Sequence, residues 1–97
     1  MARLLLTQGP QAGRHFTLGQ RPALIGRQSD VEIVLDAPEV SRQHARLNYS
    51  AGQWTVTDLN STNYTRVDGA KIEPNVATPL RDGARLQFGR VAMVFRS

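Results

Sequence analysis

The sequence of 97 residues has no cysteine, only two histidines and a single lysine. Without thiols, neither a disulfide framework nor a thiolate metal site staples the fold. His15 and His44 are too few for an ordinary zinc site in a chain that lacks cysteine, so neither metal nor cofactor is expected. Long apolar runs are missing too. The opening MARLLLTQG offers three consecutive leucines, far short of a secretory signal's apolar region, and no later stretch reaches membrane-spanning length. The expectation is a soluble, cytoplasmic protein with no membrane contact. Nor do the basic residues cluster into the kind of arm that binds nucleic acid. The length fits one domain, residues 1–97, around one modest core.

What charge there is has an unusual make-up. Twelve basic residues against eight acidic ones give a net charge of +4, and every basic residue except Lys71 is arginine. Guanidinium is a planar fork of donors that matches phosphate oxygens, whereas ammonium is a point charge. A GC-rich genome produces the same bias, so composition permits anion binding without deciding it. The sequence pI of 10.7 raises nucleic acid as a partner. That reading needs exposed aromatic residues among the arginines. Phe16, Trp54, Phe88 and Phe95 instead fall in phase with the apolar stripes, and only Tyr64 sits in a loop. No nucleic-acid partner is expected.

Those stripes have period two throughout. Leu4 and Leu6, then Phe16 and Leu18, then Val31, Ile33 and Leu35 alternate with other residues. Ala45, Leu47 and Tyr49 follow, then Trp54 and Val56, Leu86 and Phe88, and Val91, Met93 and Phe95. Each stripe is short and mostly bounded by Gly, Pro, Asn or Asp, which reads as strand rather than helix. The spacing predicts an all-β fold: a two-sheet antiparallel β-sandwich of about ten to eleven short strands, with binding loops at one end. Ser50-Ala51-Gly52 and Asp68-Gly69 read as tight hairpin turns, the latter of type I′. His44 stands opposite in phase to Ala45, Leu47 and Tyr49, which places it outside the core.

Three polar stretches interrupt the alternation: residues 26–30 (GRQSD), 36–43 (DAPEVSRQ) and 58–65 (DLNSTNYT). Loops at the end of a rigid sandwich are where binding residues concentrate. Together these stretches supply Arg27, Ser41, Arg42, Thr62 and Asn63: two fixed cations, two hydroxyls and one amide, with no evident general base. The set suits a phosphate ester on a peptide, with guanidinium for charge and hydroxyl and amide for oriented hydrogen bonds. A phosphothreonine carries about −1.5 to −2 charges, which two arginines roughly neutralise. Singly, each of these residues is ordinary loop decoration.

Their order is not ordinary. Gly26-Arg27, Ser41-Arg42-Gln43-His44, Ser61-Thr62-Asn63 and Val67-Asp68-Gly69 resemble the pattern of the forkhead-associated (FHA) family, which runs Gly-Arg, Ser-Arg-x-His, Ser-Thr-Asn-Gly-Thr and Val-Asn-Gly. Leu80, Asp82-Gly83 and Leu86-Gln87-Phe88-Gly89 are similar to its closing segment. The resemblance implies a phosphothreonine-binding β-sandwich in Ser/Thr-kinase signalling, a non-enzymatic module of a longer polypeptide. Its partner would be a threonine-phosphorylated protein or peptide. By the same resemblance Arg27, Ser41 and Arg42 hold the phosphate, and Thr62 and Asn63 line the threonine pocket and contact the peptide. Gly26, His44 and Gly69 brace the loops.

Two positions depart from the pattern. Asp68 replaces asparagine in a turn that either residue serves. Tyr64 stands where glycine usually follows the asparagine. Because positive φ is costly for a bulky residue, the loop after Asn63 is expected to relax to negative φ and shift the asparagine amide. Tyr64 and Glu39 are then residues of the peptide rim, and Glu39 disfavours acidic residues C-terminal to the phosphothreonine. Two rival functions remain. Ser41 and His44 with Asp30 or Asp36 can be imagined as a catalytic triad, but no nucleophile-elbow pattern supports one, so no catalytic residue is expected. A phosphorylation-independent protein–protein contact through a sheet face is the more credible alternative.

Overall fold

The computed structural model describes residues 2–97, which form eleven strands and no helix. In chain order these are β1 (Arg3–Gln8), β2 (His15–Thr17), β3 (Ala23–Gly26), β4 (Ile33–Val34), β5 (Ala45–Ser50) and β6 (Gln53–Asp58). They are followed by β7 (Thr65–Val67), β8 (Ala70–Lys71), β9 (Thr78–Pro79), β10 (Arg85–Phe88) and β11 (Val91–Arg96). Six strands make one sheet in the order β2-β1-β11-β10-β7-β8, and five make the other in the order β4-β3-β5-β6-β9. This is the expected two-sheet sandwich. The pairing is antiparallel except between β3 and β4, which run parallel with Ile25 opposite Ile33. A two-residue strand lets the connection, residues 27–32, return without the long crossover that full-length parallel strands need.

Alternation builds the core directly. Leu4 lies opposite Phe95 and Leu6 opposite Met93 across β1 and β11, while Leu86 meets Met93 across β10 and β11. All of these side chains are buried, as are Ile25, Leu47, Val56 and Phe88. Trp54 fills the region beside Tyr49 and Phe95, with ring centroids 5.2 and 6.1 Å away. Two two-residue turns fix the hairpin registers. Ala51 and Gly52 have φ of 51° and 80°, and Asp68 and Gly69 have 50° and 85°, the positive pair that a type I′ turn requires.

Register also gathers the loops. Ile25 pairs with Ala45 and Ala45 with Asp58, so the end of β3, the start of β5 and the end of β6 lie side by side. In the facing sheet Thr65 pairs with Phe88, joining the start of β7 to the end of β10. The stretches 26–30, 36–43 and 58–65 all leave the sandwich from these positions, at one end.

Candidate functional site

The three loops are held to one another by backbone and by buried polar side chains. The amides of Arg27 and Gln28 donate to the carbonyls of Ser41 and Arg42, at 3.0 and 3.2 Å. Gly26 makes that closeness possible. A Cβ there would lie 2.0 Å from the Arg42 carbonyl oxygen, so no other residue fits without parting the loops.

His44 is the post on which the loops hang. Its Nδ1 accepts from the Ser41 amide at 3.1 Å, and its Nε2 lies 2.8 Å from the Tyr64 carbonyl. An Nδ1 that accepts leaves the proton on Nε2, so the neutral imidazole donates to Tyr64. The ring is fully buried and meets Phe88 edge-on at 5.2 Å. Alternation along β5 therefore misplaces His44. The strand begins only at Ala45, and the 58–65 loop covers what would otherwise be an open face. Burial holds the imidazole below its ordinary pKa, opposed in part by the Tyr64 carbonyl and the Asp58 charge.

Asp58 organises the third loop from within. Its carboxylate accepts from the Ser61 amide at 3.1 Å, the Ser61 hydroxyl at 2.5 Å and the Thr65 hydroxyl at 2.7 Å. Burial works to raise its pKa, but these hydrogen bonds, joined by His44 once that ring is protonated, outweigh burial and hold it below the ordinary carboxylate value. Asp58, Ser61 and Thr65 carry a structural role that sequence reasoning missed. The one signal was the spacing Asp58-x-x-Ser61, an Asp whose side chain can accept from an amide three residues on.

Above this layer stand the residues expected to bind. Arg27 is exposed; its Nε donates to the Val40 carbonyl at 3.1 Å, which aims the guanidinium and leaves both terminal nitrogens open. The Ser41 hydroxyl accepts from the Thr62 amide at 3.1 Å, so its own proton is available to donate outward. Asn63 Nδ2 donates to the Glu39 carbonyl at 2.8 Å, keeping its carbonyl oxygen and second proton unspent. Arg42 and Thr62 are exposed. Neither Arg27 nor Arg42 has a carboxylate partner; among the described residues the one ion pair joins Arg96 and Asp82 at 3.8 Å. The structure thus brings Arg27, Ser41, Thr62, Asn63 and Glu39 into one hydrogen-bonded set, with Arg42 alongside.

Two expectations need adjustment. Tyr64 does not relax: it keeps φ of 65°, because its carbonyl is fixed by His44 and the next residue, buried Thr65, is fixed by Asp58. The Asn63 amide correspondingly stays tied to the 36–43 loop. Gly69 takes no part in these contacts and serves only the β7–β8 hairpin. Glu39 is half-buried, and its aliphatic stem abuts Gly89, where a Cβ would fall 2.2 Å from its Cγ. Ser41 and His44 are joined through the serine amide, with the hydroxyl turned to Thr62, which is not the pairing of a nucleophile with its base. No cluster of metal-binding side chains occurs among the described residues.

The fold and this loop end define a recognition module: a rigid sandwich presenting unpaired cations and oriented hydroxyl and amide groups. The chain belongs to the FHA domain family, whose profile matches residues 23–89. The FHA domain-containing protein FhaB of Mycolicibacterium smegmatis is 40% identical over 94 residues, which cover 97% of this chain and 59% of that protein. An FHA domain studied for phosphothreonine-dependent interactions superposes with a TM-score of 0.88 at 29% identity, covering 99% of this chain and 95% of its own. EmbR of Mycobacterium tuberculosis, solved in complex with a low-affinity phosphopeptide, gives a TM-score of 0.87 at 30% identity, covering 98% of this chain and 24% of EmbR. The chain spans about three fifths of the curated relatives' length, such as the 59% of FhaB. Its family is one of binding and regulatory proteins, and the chain is not an enzyme.

Proposed function

We propose that this chain is a phosphothreonine-peptide-binding module of Ser/Thr-kinase signalling and forms one domain of a longer protein. The observation that carries the reading is the Arg27 guanidinium, aimed by Val40 and unpaired, beside a Ser41 hydroxyl whose acceptor role is already filled. Arg27 and Arg42 supply charge to the phosphate, and Ser41 donates to one of its oxygens. Thr62 and Asn63 receive the threonine side chain and the adjoining peptide backbone. His44, Gly26 and Asp58 touch no ligand and act by holding the loops. The phosphopeptide in the EmbR complex is a ligand of this class.

A second reading rests on a different place. A groove of about 560 Å³ crosses the outer face of the six-stranded sheet, bordered by Thr7, Asp68, Arg85, Gln87, Ala92 and Val94. It offers a surface for a phosphorylation-independent protein contact and does not compete with the loop site. Calorimetric titration of a phosphothreonine peptide, selected from an oriented library, and of its dephosphorylated form separates the two readings. The loop site requires binding of the first and loss of most of it with the second. Equal affinity for both forms excludes it.

A further inference from the structure

Tyr64 holds a backbone conformation that glycine adopts freely and a bulky residue does not, with φ of 65°. The residue is 44% exposed, so core packing is not what the ring supplies. The ring instead carries Lys71, whose Nζ sits 3.7 Å from the ring centroid, in cation–π range. Lys71 in turn lies directly across from Arg66 in the β7–β8 register. Both cations are exposed, and neither is in an ion pair among the described residues. Like charges directly opposite on a ladder repel, and an anion placed over them removes the repulsion.

This pair adjoins the loop site. The Tyr64 carbonyl is bound by His44, whose other nitrogen holds the Ser41 amide, so Tyr64 stands two hydrogen bonds from Ser41. On the other side of the same loop, Asn63 is tied to Glu39. The rim therefore carries two cations beside Tyr64, while Asn63 is anchored to the main chain of Glu39.

We propose that Lys71 and Arg66, with Tyr64 as platform, form a specificity subsite for the carboxylate of an Asp or Glu flanking the phosphothreonine. The proposal rests on the phosphopeptide reading above. Stacking on Tyr64 restricts the lysine side chain beforehand, so less freedom is lost when the carboxylate arrives.

The test uses phosphothreonine peptides carrying Asp or, in matched copies, Asn at each flanking position in turn, titrated by calorimetry at low salt. At one position the Asp peptide is expected to bind roughly two- to fivefold tighter than its Asn match, with the advantage shrinking as salt is added. Lys71→Met and Tyr64→Gly should each bring the Asp peptide down to its Asn match, whereas Lys71→Arg should keep the discrimination. Unchanged melting temperatures of the variants show that the fold is intact. Phosphate-dependent binding with no Asp preference anywhere, or a preference that survives Lys71→Met, overturns the subsite alone. Loss of all phosphopeptide affinity in Lys71→Met overturns it too, by making Lys71 a phosphate ligand. Equal binding of phosphorylated and unphosphorylated peptides overturns the subsite together with the reading beneath it.

Discussion

The loop end of this molecule has two polar layers that differ in one respect. In the lower layer, His44, Asp58, Ser61 and Thr65 are buried, and their hydrogen bonds run to other parts of the protein. In the upper layer, Arg27, Arg42, Thr62 and Asn63 are exposed and hold bonding capacity in reserve. Ser41 joins them: its amide binds down to His44, and its hydroxyl proton faces up. Buried polar groups are costly unless satisfied, so the lower layer cannot be traded without loss of structure. Exposed cations that have no carboxylate partner contribute little to folding, which frees them for a ligand. On the proposed function, stability belongs to the lower layer and affinity to the upper, and each substitution below tests that division.

The largest effect falls on the lower layer. His44→Ala leaves the Ser41 amide and the Tyr64 carbonyl without their partner and opens a void against Phe88. Unfolding free energy should fall by about 3–5 kcal/mol, read from denaturant midpoints, and phosphopeptide binding should fall with it. A variant of native stability would break the division. Gly26→Ala comes next, because the added methyl meets backbone rather than a movable side chain. A loss of about 1–3 kcal/mol is expected from the forced displacement.

The pH dependence of stability probes the lower layer without mutation. His44 is held below its ordinary value of 6.5 in the folded protein, first by burial. The unfolded chain therefore takes up this proton first as the solution is acidified. The stabilisation is full above 6.5 and is lost progressively as pH falls from there through the lowered folded value. Asp58, also held below its ordinary 3.8, adds a second loss as pH falls through its own folded value. Denaturant midpoints measured downward from neutral pH should decline in that order, and His44→Gln should remove the first decline. The smallest effect belongs to the upper layer. Exchanging phosphothreonine for phosphoserine removes one methyl, worth about 0.8 kcal/mol if it is buried beside Thr62. Matched peptides read that difference, and a preference for phosphoserine would show that the methyl has no pocket.

Much of this was legible in the chain. Period-two stripes located every long strand, because burial on one face is what they record. They say less about hydrogen bonding: Val31, Ile33 and Leu35 are all buried, yet only Ile33–Val34 form a strand. Thr78–Pro79 carries no apolar stripe and was invisible for that reason, and Ala70–Lys71, which also lacks one, was legible only through the Asp68-Gly69 hairpin. The motif order picked out the upper layer, whose residue types declare their chemistry. The lower layer was harder, since burial of His44 is created by a loop that arrives from another part of the chain. Local propensity likewise misjudged Tyr64, whose backbone is fixed by contacts on both sides of it.

The most direct test of the division is one substitution measured in two ways. Arg27→Ala should melt within about 4 °C of the unaltered protein, since the exposed side chain gives up a single hydrogen bond to Val40. Against a selected phosphothreonine peptide it should bind at least about tenfold more weakly, the worth of one charge-assisted hydrogen bond to phosphate. A stable variant that has lost the peptide is the predicted result. An Arg27→Ala protein that keeps full phosphopeptide affinity, or one that unfolds, would contradict the account.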